Sequence, residues 1–175
     1  MVHLYSIAVI KNGVIIDSVC DLPHLSFWQV SSGKELIRFI SLECVRRCSD
    51  IRIVSFAYQD YVCYAKIVDT ELSAACVTDK EYPLRVVQKL LLSITDDYDL
   101  YALMDKYKDI SSVDKITAIR KELDETTEIC KDVVNQLCLR EDELQDLIDR
   151  TQELSDNTKI FANEAKKMNS CCTLF

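Results

Sequence analysis

The sequence predicts an α+β chain in two unlike parts: a five-stranded antiparallel sheet with helices on both faces, followed by one long helix. Three observations carry that expectation. Short β-branched runs separated by turn residues fill the first half. Every Gly and Pro lies there (Gly13, Pro23, Gly33 and Pro83), and nothing from Leu84 to Phe175 interrupts a helix by composition. At 175 residues the chain has room for one ordinary domain and an extension.

The elements follow in order. His3 to Ile10 and Val14 to Cys20 flank Lys11-Asn12-Gly13, and Asn-Gly between two such runs signals a hairpin. From Gly33 to Cys48, Leu36, Ile37, Phe39, Ile40, Leu42, Cys44 and Val45 are spaced for an amphipathic helix, with Ser31 or Ser32 as its cap. Strands are expected over Ile51 to Ala57, Tyr61 to Val68 and Leu72 to Val77, with turns at Gln59-Asp60 and Asp69-Thr70. Pro83 suits the first turn of a helix running through Leu91, whose Val86, Val87, Leu90 and Leu91 face the sheet. A further helix from Asp97 to Lys108 carries Leu100, Leu103, Met104 and Tyr107. The order ββαβββαα defines the sandwich.

Charge and chemistry exclude several function classes. A net charge of −8 is unsuited to phosphate backbones, so no nucleic acid is expected as a partner. Nine irregularly spaced cysteines without a secretory signal point to a reducing cytosol. Cys44 and Cys48 have no second ligand pair, and His3 and His24 are isolated, so buried thiols are expected rather than a metal site. Asp96, Asp97 and Asp99 around Tyr98 read as an acidic helix start before they read as a cation site. There is no Gly-rich phosphate loop or Ser/His/Asp arrangement, so neither an enzyme nor a cofactor is expected. No stretch approaches the ~18 apolar residues of a membrane span.

The second half is organised by a heptad seam. Alternating steps of three and four link Ile116, Ile119, Leu123, Thr126, Cys130, Val133, Leu137, Arg140, Leu144, Leu147, Thr151, Leu154, Thr158, Phe161, Ala165 and Met168. The repeat far exceeds the three or four heptads that argue for a coiled coil, and an unbroken helix of this span would be about 80 Å long at ~1.5 Å per residue. Arg140 is its one charged member; the others are apolar or are threonines whose methyls can pack. Burying a guanidinium costs several kcal/mol unless its donors meet acceptors, so Arg140 requires a dedicated partner set. The alternative is an Arg140 that snorkels at the edge of a homodimeric coiled coil.

Cys172-Thr173-Leu174-Phe175 fits the C-a-a-X signal for prenylation at Cys172, and its final Phe favours geranylgeranyl over farnesyl. A single lipid chain binds membranes marginally. Palmitoylation of Cys171 is the natural second signal, because Lys166 and Lys167 are too few for a polybasic patch. Such a chain would cycle between cytosol and membrane. A prenylated coiled-coil tether or adaptor shares these features and is the competing reading.

The chain resembles the prenylated longin SNAREs of the YKT type, in the synaptobrevin-like superfamily, along essentially its whole length. The likeness lies in His3-Leu4-Tyr5-Ser6, Ser26-Phe27-Trp28-Gln29, Gln59-Asp60-Tyr61-Val62-Cys63, Glu81-Tyr82-Pro83, Glu122-Leu123-Asp124-Glu125-Thr126, Leu139-Arg140-Glu141 and Asn169-Ser170-Cys171-Cys172. It implies a profilin-like longin domain over 1–110, a SNARE motif over 111–170 and a lipidation tail over 171–175. It further implies that Arg140 meets three glutamines from Q-SNARE partners in a central ionic layer. Vesicle fusion in endoplasmic reticulum, Golgi, endosomal or vacuolar traffic follows by the same resemblance. So does an intramolecular longin–SNARE contact that shelters the lipid, with Phe39 either in that groove or simply in the core.

Overall fold

Asn12 and Gly13 both take positive φ, 51° and 75°. That pair of values belongs to the primed turns whose twist matches a hairpin, and it joins β1 (Leu4–Lys11) to β2 (Val14–Cys20). The computed structural model describes residues 2–49, 53–95, 98–110, 134–135 and 141–171.

Helix α1 (Phe27–Arg46) starts six residues before the expected Gly33. Its cap is Ser26, whose backbone N–H and hydroxyl both donate to Gln29 Oε1, at 3.2 and 2.8 Å. Ser31 and Ser32 therefore lie inside the helix. The periodicity missed the first turn because Phe27 and Trp28 are exposed there and contribute nothing to a buried stripe. Gly33 is a close-approach site: a Cβ on it would stand 2.5 Å from Leu25 Cδ1.

Strands β3 (Ile53–Tyr58), β4 (Tyr61–Ile67) and β5 (Leu72–Asp79) follow, then α2 (Leu84–Leu92) capped at Pro83, and α3 (Leu100–Lys108). Asp99 caps α3 by accepting from Tyr101 N and Ala102 N, which fits the expected acidic helix start; Asp96 and Asp97 lie outside the described residues. The antiparallel sheet runs β2-β1-β5-β4-β3, with a further strand, β6 (Val134–Asn135), added parallel to β3.

Side chains alternate across this sheet to form two cores. On one face Ile7, Val9, Ala74 and Cys76 pack with α2 and α3. On the other, Ala8, Ile10, Ala75 and Val77 pack with α1 and with helices from the C-terminal part of the chain. A register shift between Leu4 and Ser6 lets β1 send Leu4 to the first core and Tyr5 to the second. The five-stranded sheet with helices on both faces is thus the predicted architecture.

The expected uninterrupted helix is corrected in two places. Val134 and Asn135 are extended against Ile53 and Val54. Beyond them the chain forms α4 (Glu141–Arg150) and α5 (Asp156–Cys171), separated by a non-helical stretch over 151–155. The break lets both helices wrap the α1 face of the sheet, which a straight rod meets along only one line. Among the described residues no helix is long and apolar enough to cross a membrane.

Candidate functional site

The two C-terminal helices present an apolar face to α1 and β3. Leu144, Ile148 and Ala162 are fully buried, and Leu154 nearly so, in one core with Leu36, Phe39, Ile40 and Phe56, and Thr158 is fully buried as well. Burying a Leu or Ile side chain contributes roughly 1.5–3 kcal/mol, so these contacts hold the C-terminal segment on the domain.

Apart from Gln145, the buried positions of the C-terminal segment fall four residues apart, at 144 and 148 in α4 and then at 154, 158 and 162, of which 154 precedes α5. The heptad seam instead visits 144, 147, 151, 154, 158, 161 and 165. Leu144, Leu154 and Thr158 belong to both sets. Leu147, Thr151, Phe161 and Ala165 are only half-buried. The docked face is the seam rotated by part of a turn.

Polar contacts fix the register. Glu35 of α1 accepts from Ser155 N at 2.7 Å, Ser155 Oγ at 2.8 Å and Thr158 Oγ1 at 2.6 Å. Burial pulls the Glu35 carboxyl up, but the bonds from Thr158 and Ser155 outweigh it and hold the group below its ordinary value. Tyr58 OH donates to buried Gln145 Oε1 at 2.9 Å, and Gln145 Nε2 donates to Asn163 Oδ1 at 3.1 Å, tying β3, α4 and α5 together. At the far end of α1, buried Glu43 pairs with Arg46 and Arg47. Arg46 continues to Glu153 at 3.2 Å, and the Arg47 guanidinium lies 5.5 Å from the Phe56 ring centre.

Phe39 is buried in this core and lines a 440 Å³ cavity with Leu42, Glu153 and Leu154. A second cavity, of 320 Å³, lies between Trp28, Glu35, Ser155 and Phe161. Met168 and Cys171 fall within α5. Ile116, Ile119, Leu123, Thr126, Cys130, Val133, Leu137, Arg140 and Cys172 lie outside the described residues.

Glu35, Gln145, Ile148 and Ala162 are site residues that the heptad reading missed. One signal was available: Ser155 followed by Asp156 reads as a helix start placed inside the expected rod.

The chemistry on offer is surface complementarity. The Cys44 thiol lies 3.8 Å from the carbonyl oxygens of Val54 and Cys63, and burial raises Cys44 and Cys76 well above the ordinary thiol value, which suppresses thiolate formation. Among the described residues no three His, Cys, Asp or Glu side chains converge as metal ligands.

Comparison with known proteins shows what the chain is similar to. Residues 115–173 match the family model described as Synaptobrevin. Nearly the whole chain aligns with "Synaptobrevin homolog ykt6" of Schizosaccharomyces pombe, at 29% identity over 98% of each chain. It also aligns with "Synaptobrevin homolog YKT6" of Yarrowia lipolytica, at 27% over 98% of each. "VAMP-like protein YKT61" of Arabidopsis thaliana is 28% identical over 94% of this chain and 92% of its own. The chain thus carries a synaptobrevin domain over 115–173, behind a five-stranded sheet with helices that is consistent with a longin domain. Its relatives over most of its length are proteins named YKT6, a likeness that supports a YKT-type R-SNARE. Proteins of this family assemble with other SNAREs and form a non-enzymatic group.

Proposed function

We propose that this protein drives intracellular vesicle fusion by zippering its seam with three Q-SNARE helices, and that it cycles between the cytosol and the cytosolic face of endoplasmic reticulum, Golgi, endosomal or vacuolar membranes. Arg140 supplies the charged centre of the four-helix bundle, where the partners' amides satisfy its guanidinium. Cys172 carries the prenyl chain and Cys171 a reversible palmitoyl chain. Division into a longin domain over 1–110, a SNARE motif over 111–170 and a lipidation tail over 171–175 serves this cycle.

The observation that carries the reading is the double membership of Leu144, Leu154 and Thr158. The same side chains line the assembly seam and the face buried against α1, so docking and bundle formation exclude one another. The docked form is therefore the closed, cytosolic one, with Phe39 part of its groove. Bundle assembly must exceed the free energy of docking, and burial of the full seam at ~25 cal/mol per Å² supplies it.

Liposome assembly tests the reading. The chain should join a complex with cognate Q-SNAREs and promote lipid mixing. Arg140→Ala and Leu147→Asp should weaken both; unchanged complex stability and lipid mixing would refute the proposal.

A further inference from the structure

Trp28 is 85% exposed, yet it is held in place. The Phe27 ring lies beside it, with centres 5.5 Å apart and planes at 81°, and the Ser26–Gln29 bonds fix the helical turn that carries both. An indole that folding leaves in water adds nothing to the core, so its role lies in what it meets next.

The cavity that Trp28 lines defines the chemistry of that occupant. At 320 Å³ it lies at the small end of ligand clefts, which span roughly 300–1,000 Å³, and it suits a single side chain. Its lining combines the carboxylates of Glu35 and Glu164, the oxygen acceptors of Ser31 and Asn157, and the aromatic surface of Trp28 and Phe161. No Lys, Arg or His is among the described residues around it, and among those residues neither carboxylate has a cationic partner. Oε1 of Glu35 accepts only from Ser155 N, which leaves it room for another donor. Two carboxylates that share a cavity with an indole, on a chain of net charge −8, complement a cation. A guanidinium fits most closely, since its planar fork matches carboxylates and it stacks on aromatic rings.

We propose that this cavity receives an arginine side chain of a partner polypeptide. Trp28 and Glu35 belong to α1, whereas Phe161 and Glu164 belong to α5, so the cavity exists only while α5 is docked. A ligand that needs both walls binds the docked form alone and favours it by the factor 1 + [L]/Kd. The partner is therefore a clamp on the docked form, and its effect on assembly rests on the closed-form reading above.

Trp28 is the protein's single tryptophan, so its fluorescence reports on this wall alone. The full chain is titrated with a blocked pentapeptide of glycines around one arginine, and with the same peptide carrying citrulline, the neutral isostere of arginine. Trp28 emission should change saturably with the arginine peptide, and the citrulline peptide should bind at least about fivefold more weakly. Glu164 is exposed, so Glu164→Gln should weaken the arginine peptide about threefold and leave the melting temperature unchanged. At about ten times its Kd the arginine peptide should slow amide exchange of α5, and assembly with Q-SNAREs, about tenfold each. Equal binding of the citrulline peptide, binding untouched by Glu164→Gln, or no response up to about 10 mM peptide would overturn the proposal. So would binding that leaves α5 exchange unchanged, because the cavity would then not need the docked helix. Slower α5 exchange with an unchanged rate of assembly would uphold the site and refute instead the exclusion between docking and bundle formation.

Discussion

Thr158 Oγ1 donates to Glu35 Oε2 at 2.6 Å across 123 residues of sequence. The same carboxylate accepts from the backbone N–H of Ser155, which in a continuous helix would bond the carbonyl four residues earlier. Glu35 thus replaces a helical acceptor and stabilises the break between α4 and α5 as well as the docking of α5.

Glu35→Gln should lower the opening free energy of α5 at pH 7 by about 1–2 kcal/mol, since charge-assisted bonds are the stronger kind and this site is partly screened. The folded carboxyl lies below its ordinary 4.5. Its contribution is complete above that value and is lost as pH falls through the lower folded value. Amide hydrogen exchange of α5 between pH 7 and pH 3 should show this loss in the wild type and not in the variant.

Ile148 is fully buried against the domain but lies off the heptad seam. Ile148→Ala should therefore weaken docking by about 2–4 kcal/mol while sparing the bundle. Assembly with Q-SNAREs, followed by fluorescence, should accelerate, whereas Leu154→Ala, on both faces, should weaken docking and bundle together.

Tyr58→Phe removes the donor to Gln145 Oε1. The cost should be about 1 kcal/mol, visible as faster exchange in α4 and α5 and little change in α2 or α3. Equal acceleration in α2 and α3 would mean that Tyr58 supports the whole sheet instead of the docked segment.

Arg46 and Glu153 are each about half exposed, 46% and 51% by side chain. Glu153→Gln should cost the docked form no more than about 1 kcal/mol, and the difference should shrink in high salt. A larger, salt-insensitive effect would place this pair among the main determinants of docking.

Burial raises the Cys48 thiol from 9.0 to about 11. Stability from keeping it protonated is present below pH 9 and is lost as pH rises from 9 toward 11. Thermal melts across that window should fall less steeply for Cys48→Ala than for the wild type.

Most of the sheet was legible because its signals are local. Asn12-Gly13 dictates a primed turn at once, and the β-branched runs around it alternate with the pleat. The start of α1 was not legible by periodicity, since Phe27 and Trp28 face solvent and Gly33 yields to the loop at Leu25. Of the site, Leu144, Leu154 and Thr158 were found as seam members, but Ile148 and Ala162 were not, because a heptad pattern describes a partner helix and these two meet a sheet and a single crossing helix.

The sequence by itself determined the sheet domain and the spacing of the apolar seam, both of which follow from residue type and position along the chain. Only the tertiary structure decided that the C-terminal segment bends at 151–155, adds Val134 and Asn135 to the edge of β3 and turns Ile148 inward. A helix with an apolar seam lowers its free energy against any complementary groove, and which groove it meets is a property of distant residues brought together, such as Glu35 and Tyr58.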